Sequence, residues 1–124
     1  MLILGTKIVK NFVIRIFFAN FAGKITIKML KFISFGSGSS GNSYYLYTET
    51  DSLLIDVGVG IRTLKKHFHN YGLRFEDVHH ILITHDHADH VKSVGSLSTD
   101  YHLPVYATRK VHAGIERNYC VRKK

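Results

Sequence analysis

Between positions 84 and 90 the chain reads Thr84-His85-Asp86-His87-Ala88-Asp89-His90, straight after the apolar run Ile81-Leu82-Ile83. Three imidazoles and two carboxylates thus crowd into six residues. Carboxylates repel one another and imidazole is a poor turn former, so such a cluster is costly unless something positive organises it. A divalent metal supplies that reason. In extended geometry His85 and His87 project to the same side and can meet one ion, while Asp89 and His90, past the bend, can reach a second position nearby. Neutral imidazole and carboxylate suit zinc and would also accept iron or manganese. Cys120 is the only cysteine, which excludes an internal disulfide framework and cysteine-rich zinc modules and fits a reducing cytoplasm.

The strand that delivers the chain to His85 belongs to a regular pattern that begins at Met29. Leu30 to Phe35 reads as a strand, bounded by the turn-rich run Gly36-Ser37-Gly38-Ser39-Ser40-Gly41-Asn42. Ser43 to Thr48 and Ser52 to Asp56 read as two more, giving an antiparallel meander. Ile61, Leu64, Phe68 and Tyr71 recur on one face of an amphipathic helix that Gly72 ends. A short segment follows at Phe75 to His79, and then Ile81-Leu82-Ile83, whose continuous apolar character predicts a strand buried on both faces. Val91, Val94, Leu97 and Tyr101 mark a second helix, Pro104 to Ala107 a short strand, and Thr108 the N-cap of a last helical segment carrying Val111 and Ile115. With 124 residues, 45% of them hydrophobic, the composition is that of a globular chain with one domain.

Residues 1–28 look foreign to this pattern. Seventeen of them are Phe, Ile, Asn, Lys or Met, and they show neither helical nor alternating periodicity. Arg15 and Lys24 limit the apolar run to the eight residues 16–23, far below the ~18–20 needed to span a bilayer. The expectation is a basic, apolar N-terminal extension outside the fold, with Met29 as the true start and residues 29–124 as the folded part. The extension holds five Lys and Arg and no acid, out of a net charge of +8. The remainder is therefore only mildly basic, and charge alone does not nominate nucleic acid as partner.

At His85-x-His87-x-Asp89-His90, preceded by Leu54-Ile55-Asp56-Val57-Gly58, the chain resembles the metallo-β-lactamase-fold hydrolases. Phe35-Gly36-Ser37-Gly38-Ser39-Ser40-Gly41-Asn42 narrows the resemblance to their YycJ-like (WalJ-like) branch, over Met29 to Lys124. The resemblance implies an α+β fold, the αββα sandwich, of which this chain supplies the N-terminal ββα half. It implies two zinc-class ions, with His85 and His87 on the first, Asp89 and His90 on the second, and Asp56 as the buried acid beneath the loop. For this branch it also implies phosphodiester hydrolysis with nuclease-like use on DNA.

The residues themselves agree with that chemistry. Two ions ~3.5–4 Å apart can lower the pKa of a water and stabilise the charge of an in-line phosphoryl displacement, so no side-chain nucleophile is needed. Asp89 is the candidate catalytic residue, ligating one ion and orienting the attacking oxygen. Asp56 reads as a carboxylate that fixes ligand histidines by hydrogen bonding, and Asp86 as a solvated neighbour. Ser39, Ser40 and Asn42 are candidate substrate-loop donors, because a Gly/Ser loop exposes amides and hydroxyls that can cradle a phosphate. His67, His69, His79, His80, His102 and His112 read as non-ligands.

Enzymes of this fold complete the site with ligands from later segments, so the expectation is a truncated chain whose uncovered sheet favours self-association. Hydrolysis of an ester or lactone by the same site, or an inactive fragment that is at most a weak metal-binding or interaction module, are the alternatives.

Overall fold

The structure is a computed structural model that describes the backbone of residues 2–4, 7–9, 11–19 and 25–117 and the side chains of residues 29–117. Strands β1 (Leu2–Leu4) and β2 (Lys7–Val9) form a separate antiparallel pair. The main sheet has six strands in the order β3 (Asn11–Ala19), β4 (Ile25–Gly36), β5 (Ser43–Tyr47), β6 (Ser52–Val57), β7 (His80–Leu82) and β8 (Val105–Tyr106). Pairing is antiparallel from β3 to β6 and parallel from β6 to β8. The meander expected from Leu30 to Asp56 is therefore present. It extends on the N-terminal side of Met29, where the backbone of β3 lies in register with β4 from Asn11 opposite Ile33 to Ala19 opposite Ile25.

One parallel crossover makes the site possible. Between β6 and β7 the chain runs through helix α1 (Ile61–Asn70) and the 3-10 turn Phe75–Asp77. The predicted period places Leu64 and Phe68 fully against the sheet, and Phe68 packs its ring on Phe35, Tyr45 and Phe75 at centroid distances of 5.0, 4.7 and 5.3 Å. Gly72 closes the helix in the left-handed region at φ +67°, so that its N–H and that of Leu73 reach His69 O and Phe68 O. Ile33, Phe35, Tyr45, Leu54, Ile81 and Leu97 complete this core.

The second helical segment departs from expectation by breaking in two, α2 (Ala88–Val91) and α3 (Val94–Thr99). The break falls at Ser93, whose N–H bonds Val57 O (2.9 Å) and whose hydroxyl bonds Val59 O (2.5 Å), so both donors serve the end of β6. Thr108 caps the final helix, α4 (Arg109–Arg117), by accepting the Val111 N–H at 3.3 Å. Strand β7 is not buried on both faces: Ile81 is enclosed, whereas His80 and Leu82 lie half-buried. They share the second sheet face with Phe32, Tyr44, Leu46, Leu53 and Ile55, all half-buried, because the helices that supply the core pack on the opposite face.

Two register irregularities sit at one end of the sheet, between Ser34 and Gly36 and at Ser43/Tyr44. Bulges of this kind increase local twist and re-aim the chain beside sites. The hydroxyl of Ser43 is fully buried there without a hydrogen-bond partner. An unpaired buried hydroxyl costs roughly 1–3 kcal/mol. Ser43→Ala is therefore expected to raise stability by on the order of 1 kcal/mol, read as a higher urea midpoint at unchanged slope; a lower midpoint would refute the assignment.

Candidate metal centre

Three connections meet at that same sheet end: Ser37–Asn42 after β4, Gly58–Gly60 after β6, and Ile83–His87 after β7. Backbone bonds tie them together. Gly58 N–H donates to Asn42 O (2.9 Å), and Asn42 N–H donates to Asp89 O (2.7 Å). Gly58 is required by close approach, since a side-chain carbon there would overlap the Asp89 carbonyl.

Asp56 is the buried centre of the arrangement, 2% exposed, at φ +60°. That left-handed conformation is tolerated by Asp better than by most residues but still costs about 1–3 kcal/mol, so surrounding bonds must hold it. They do. Its Oδ1 accepts the Thr84 N–H at 2.8 Å, and its Oδ2 accepts the Thr84 hydroxyl at 2.6 Å and His90 Nδ1 at 2.7 Å.

This network fixes two imidazoles. A carboxylate only accepts, so the proton on His90 lies at Nδ1 and its Nε2 carries the lone pair, with the Asn42 amide nitrogen 3.5 Å away. Thr84 gives its single hydroxyl proton to Asp56, so toward His85 Nδ1, 2.9 Å away, it can only accept. His85 is thereby also protonated at Nδ1 and presents Nε2. The two rings lie 4.7 Å apart, centroid to centroid. Such carboxylate- or hydroxyl-backed histidines are the usual form of a metal-ligating pair.

Among the described residues, Asp56, His85 and His90 form the one group of three whose ligand atoms all lie within 4.8 Å of one another. The donor set fits a divalent cation. Both Asp56 oxygens are already engaged by three donors, however, so the geometry makes it the base of the site, with the imidazoles as the groups facing outward. Asp89 stands beside them, with Oδ2 3.8 Å from His90 Nε2. His87 lies further out: its ring centroid is 6.2 Å from that of His85, its side chain is 76% exposed, and its carbonyl starts helix α2 by accepting the His90 and Val91 N–H groups.

Other expected residues are placed as follows. Ser39 and Ser40 are exposed at the tip of the Gly/Ser loop. Asn42 departs from the substrate-loop reading: it is 8% exposed, and its side chain turns inward to Gly38 and Asp89. Asp86 is not merely solvated, because its carboxylate rests against α4 at Gly114, where any side chain would strike it. Thr84 was not singled out by the sequence at all; its position between the buried strand and the first histidine was the available signal. His79 and His80 both face Asp51 Oδ1, at 3.4 and 3.5 Å. The Ser52 N–H, then His79, hold the Asp51 carboxyl below the usual carboxylate range. His67 stacks on Phe35 at 5.5 Å.

A family model described as anti-Pycsar protein Apyc1 matches residues 30–116. Exodeoxyribonuclease YycJ of Bacillus anthracis is 40% identical over 87 residues, covering 70% of this chain and 33% of the relative. Exodeoxyribonuclease WalJ of Streptococcus pneumoniae is 38% identical over 88 residues, covering 71% and 33%. The chain thus spans about a third of the length of the curated relatives it matches. Among solved structures, a Cronobacter sakazakii metallo-β-lactamase with a HARLDQ motif superposes with a TM-score of 0.58 at 19% identity, covering 71% of this chain and 35% of that one. The Rm3 metallo-β-lactamase gives 0.57 at 23%, covering 66% and 31%.

The hydroxyl of Thr84 can be tested directly. Thr84→Val should lower stability by about 1–3 kcal/mol and release His85 from its single tautomer, while Thr84→Ser retains both properties. Ring nitrogen shifts in the magnetic resonance spectrum report the tautomer; an unchanged His85 pattern in the Val variant would remove Thr84 from the site.

Proposed function

The chain belongs to the family described as anti-Pycsar protein Apyc1 and to the YycJ-like branch of the metallo-β-lactamase fold, and from that premise we propose that it forms the metal-binding portion of a hydrolase that cuts phosphodiester bonds in DNA. The observation that carries the reading is the pair His85 and His90, each held through Nδ1 so that Nε2 carries the lone pair, over the buried carboxylate of Asp56. The choice of DNA rests on relatives whose names are exodeoxyribonucleases.

In this reading the working unit is residues 29–124, with residues 1–28 as an extension, and it acts in the cytoplasm. His85 and His87 would hold one divalent ion and Asp89 and His90 a second, with zinc the first choice and manganese or iron alternatives. When bound, such ions supply Lewis acidity, lowering the pKa of water and offsetting charge on the oxygens of an in-line phosphoryl displacement. The chain's own residues do the rest. Asp56 and Thr84 keep protons on the inner ring nitrogens, and Asp89 orients the attacking oxygen. Ser39 and Ser40, exposed on the Gly/Ser loop, would act as donors to a substrate phosphate. No described helix is long and apolar enough to cross a membrane.

A second reading is favoured by the share of the relatives that this chain spans. A catalytic zinc usually has three protein ligands, and two per ion would leave the site to be completed by another segment or by a second copy docked on the half-buried sheet face. The isolated chain would then be a weak metal-binding module. Elemental analysis of the size-separated chain, with His87→Ala as control, separates the readings. Close to two ions per chain, lost in the variant, together with DNA hydrolysis, is the expected result. Metal without hydrolysis of DNA, or with hydrolysis of an ester or lactone instead, would overturn the DNA assignment, and absence of metal would overturn the centre itself.

A further inference from the structure

We propose that Asn42 is a positioning residue that couples the Gly/Ser loop to the carboxylate of Asp89, so that movement of the loop tip is felt at the metal centre. The inference rests on the reading of Asp89 as a metal ligand.

A carboxamide offers one carbonyl oxygen and two N–H groups. Asn42 Oδ1 accepts the Gly38 N–H at 3.0 Å. Its Nδ2 faces Gly38 O at 2.9 Å on one side, and Asp89 O at 3.1 Å and Asp89 Oδ2 at 3.2 Å on the other, with His90 Nε2 at 3.5 Å. Two protons therefore serve one loop carbonyl and a ligand cluster. The amide cannot turn toward one partner without withdrawing from the other.

Its backbone is anchored independently. Asn42 N–H donates to Asp89 O and Asn42 O accepts from Gly58, so the residue is fixed to the metal loop and to the end of β6. The exposed partner is on the other side. Ser37 to Ser40 are exposed, and Gly38 at φ +142° has no atoms within 4 Å of where a side chain would begin. A ligand that draws the loop tip outward lengthens both Gly38 bonds, frees the amide to rotate, and changes the donor presented to Asp89 Oδ2. The coupling also runs backward: fixing the Asp89 carboxylate fixes the amide and tightens the loop. A role confined to closing the turn would need only the two Gly38 bonds, and those leave one N–H of the amide for Asp89.

The test uses the full chain. In backbone amide spectra, Asp89→Ala should shift the Gly38, Ser39 and Ser40 resonances, although Asp89 is 47 residues from Asn42 in sequence. The same substitution made on Asn42→Leu, which keeps the side-chain shape without its polar atoms, should leave them in place. Zinc affinity, measured by competition with a chelator, should fall about 10- to 100-fold in Asn42→Leu, the usual effect of removing a hydrogen-bond partner of a ligand. Loop resonances indifferent to Asp89→Ala, or wild-type zinc affinity in Asn42→Leu, would overturn the coupling. If the wild-type chain binds no zinc, the metal reading fails and the amide comparison still decides the coupling. It needs only Asp89→Ala should Asn42→Leu not fold.

Discussion

The buried carboxylate of Asp56 is the constraint on which the site depends. It sits at the end of β6 in a left-handed conformation and accepts three hydrogen bonds, two from Thr84 and one from His90. Those bonds do two things. They join the end of β6 to the loop that follows β7, and they assign the proton on each of the two imidazoles that face outward. A buried ionised group is costly unless its acceptor capacity is filled, and here the groups that fill it are the same ones that a metal site needs oriented. Stability and chemistry are served by one set of contacts.

The sheet explains why Asp56 and Thr84 meet. β6 and β7 run parallel with Leu54 beside Ile81 and Ile55 beside Leu82, so their C-terminal ends are level. Loops at the carboxyl ends of parallel strands are open to solvent and free of hairpin geometry, which is where open α/β sheets place their ligands. The antiparallel connection from β4 to β5 turns at the same end, and its bulged flanks bring Asn42 over Asp89. Helix α1 contributes from below by burying Leu64 and Phe68, which holds the crossover at the length this register requires. The closing break at Ser93 clamps the helices after the loop to the end of β6.

Local pattern made much of this legible. Short runs bounded by turn residues gave β4 from Leu30 onward, β5 and β6, the three-and-four spacing gave α1, and the crowding of His and Asp located the candidate centre. What remained hidden was set by distant partners. A continuous helix from Val91 to Tyr101 is the reading of its apolar spacing, and only the carbonyls of Val57 and Val59 show why Ser93 interrupts it. The composition of Gly36 to Asn42 announces hydrogen-bond donors but not their direction, so Asn42 reads the same as Ser39 and Ser40 although it faces the opposite way. Asp86 reads as a solvated neighbour because the glycine it touches is 28 positions away. Residues 1–28 lack any periodicity, and the pairing of the backbone of residues 11–19 with β4 needs none.

The two faces of the sheet carry the last step. One face is closed by α1, α3 and α4 into a core of enclosed aliphatic and aromatic side chains, and the order of that core fixes the register that aligns Asp56 with Thr84. The other face presents a row of half-buried residues, Phe32, Leu46, Leu53 and His80 side by side, and a second row of Tyr44, Ile55 and Leu82. In a sandwich fold such rows lie between two sheets, where removing their apolar surface from water is favourable. Asp56, Thr84, His85, His90 and Asn42 are held by bonds made within residues 36–93. The geometry that turns the two imidazoles outward is therefore built from the loops at one end of this sheet.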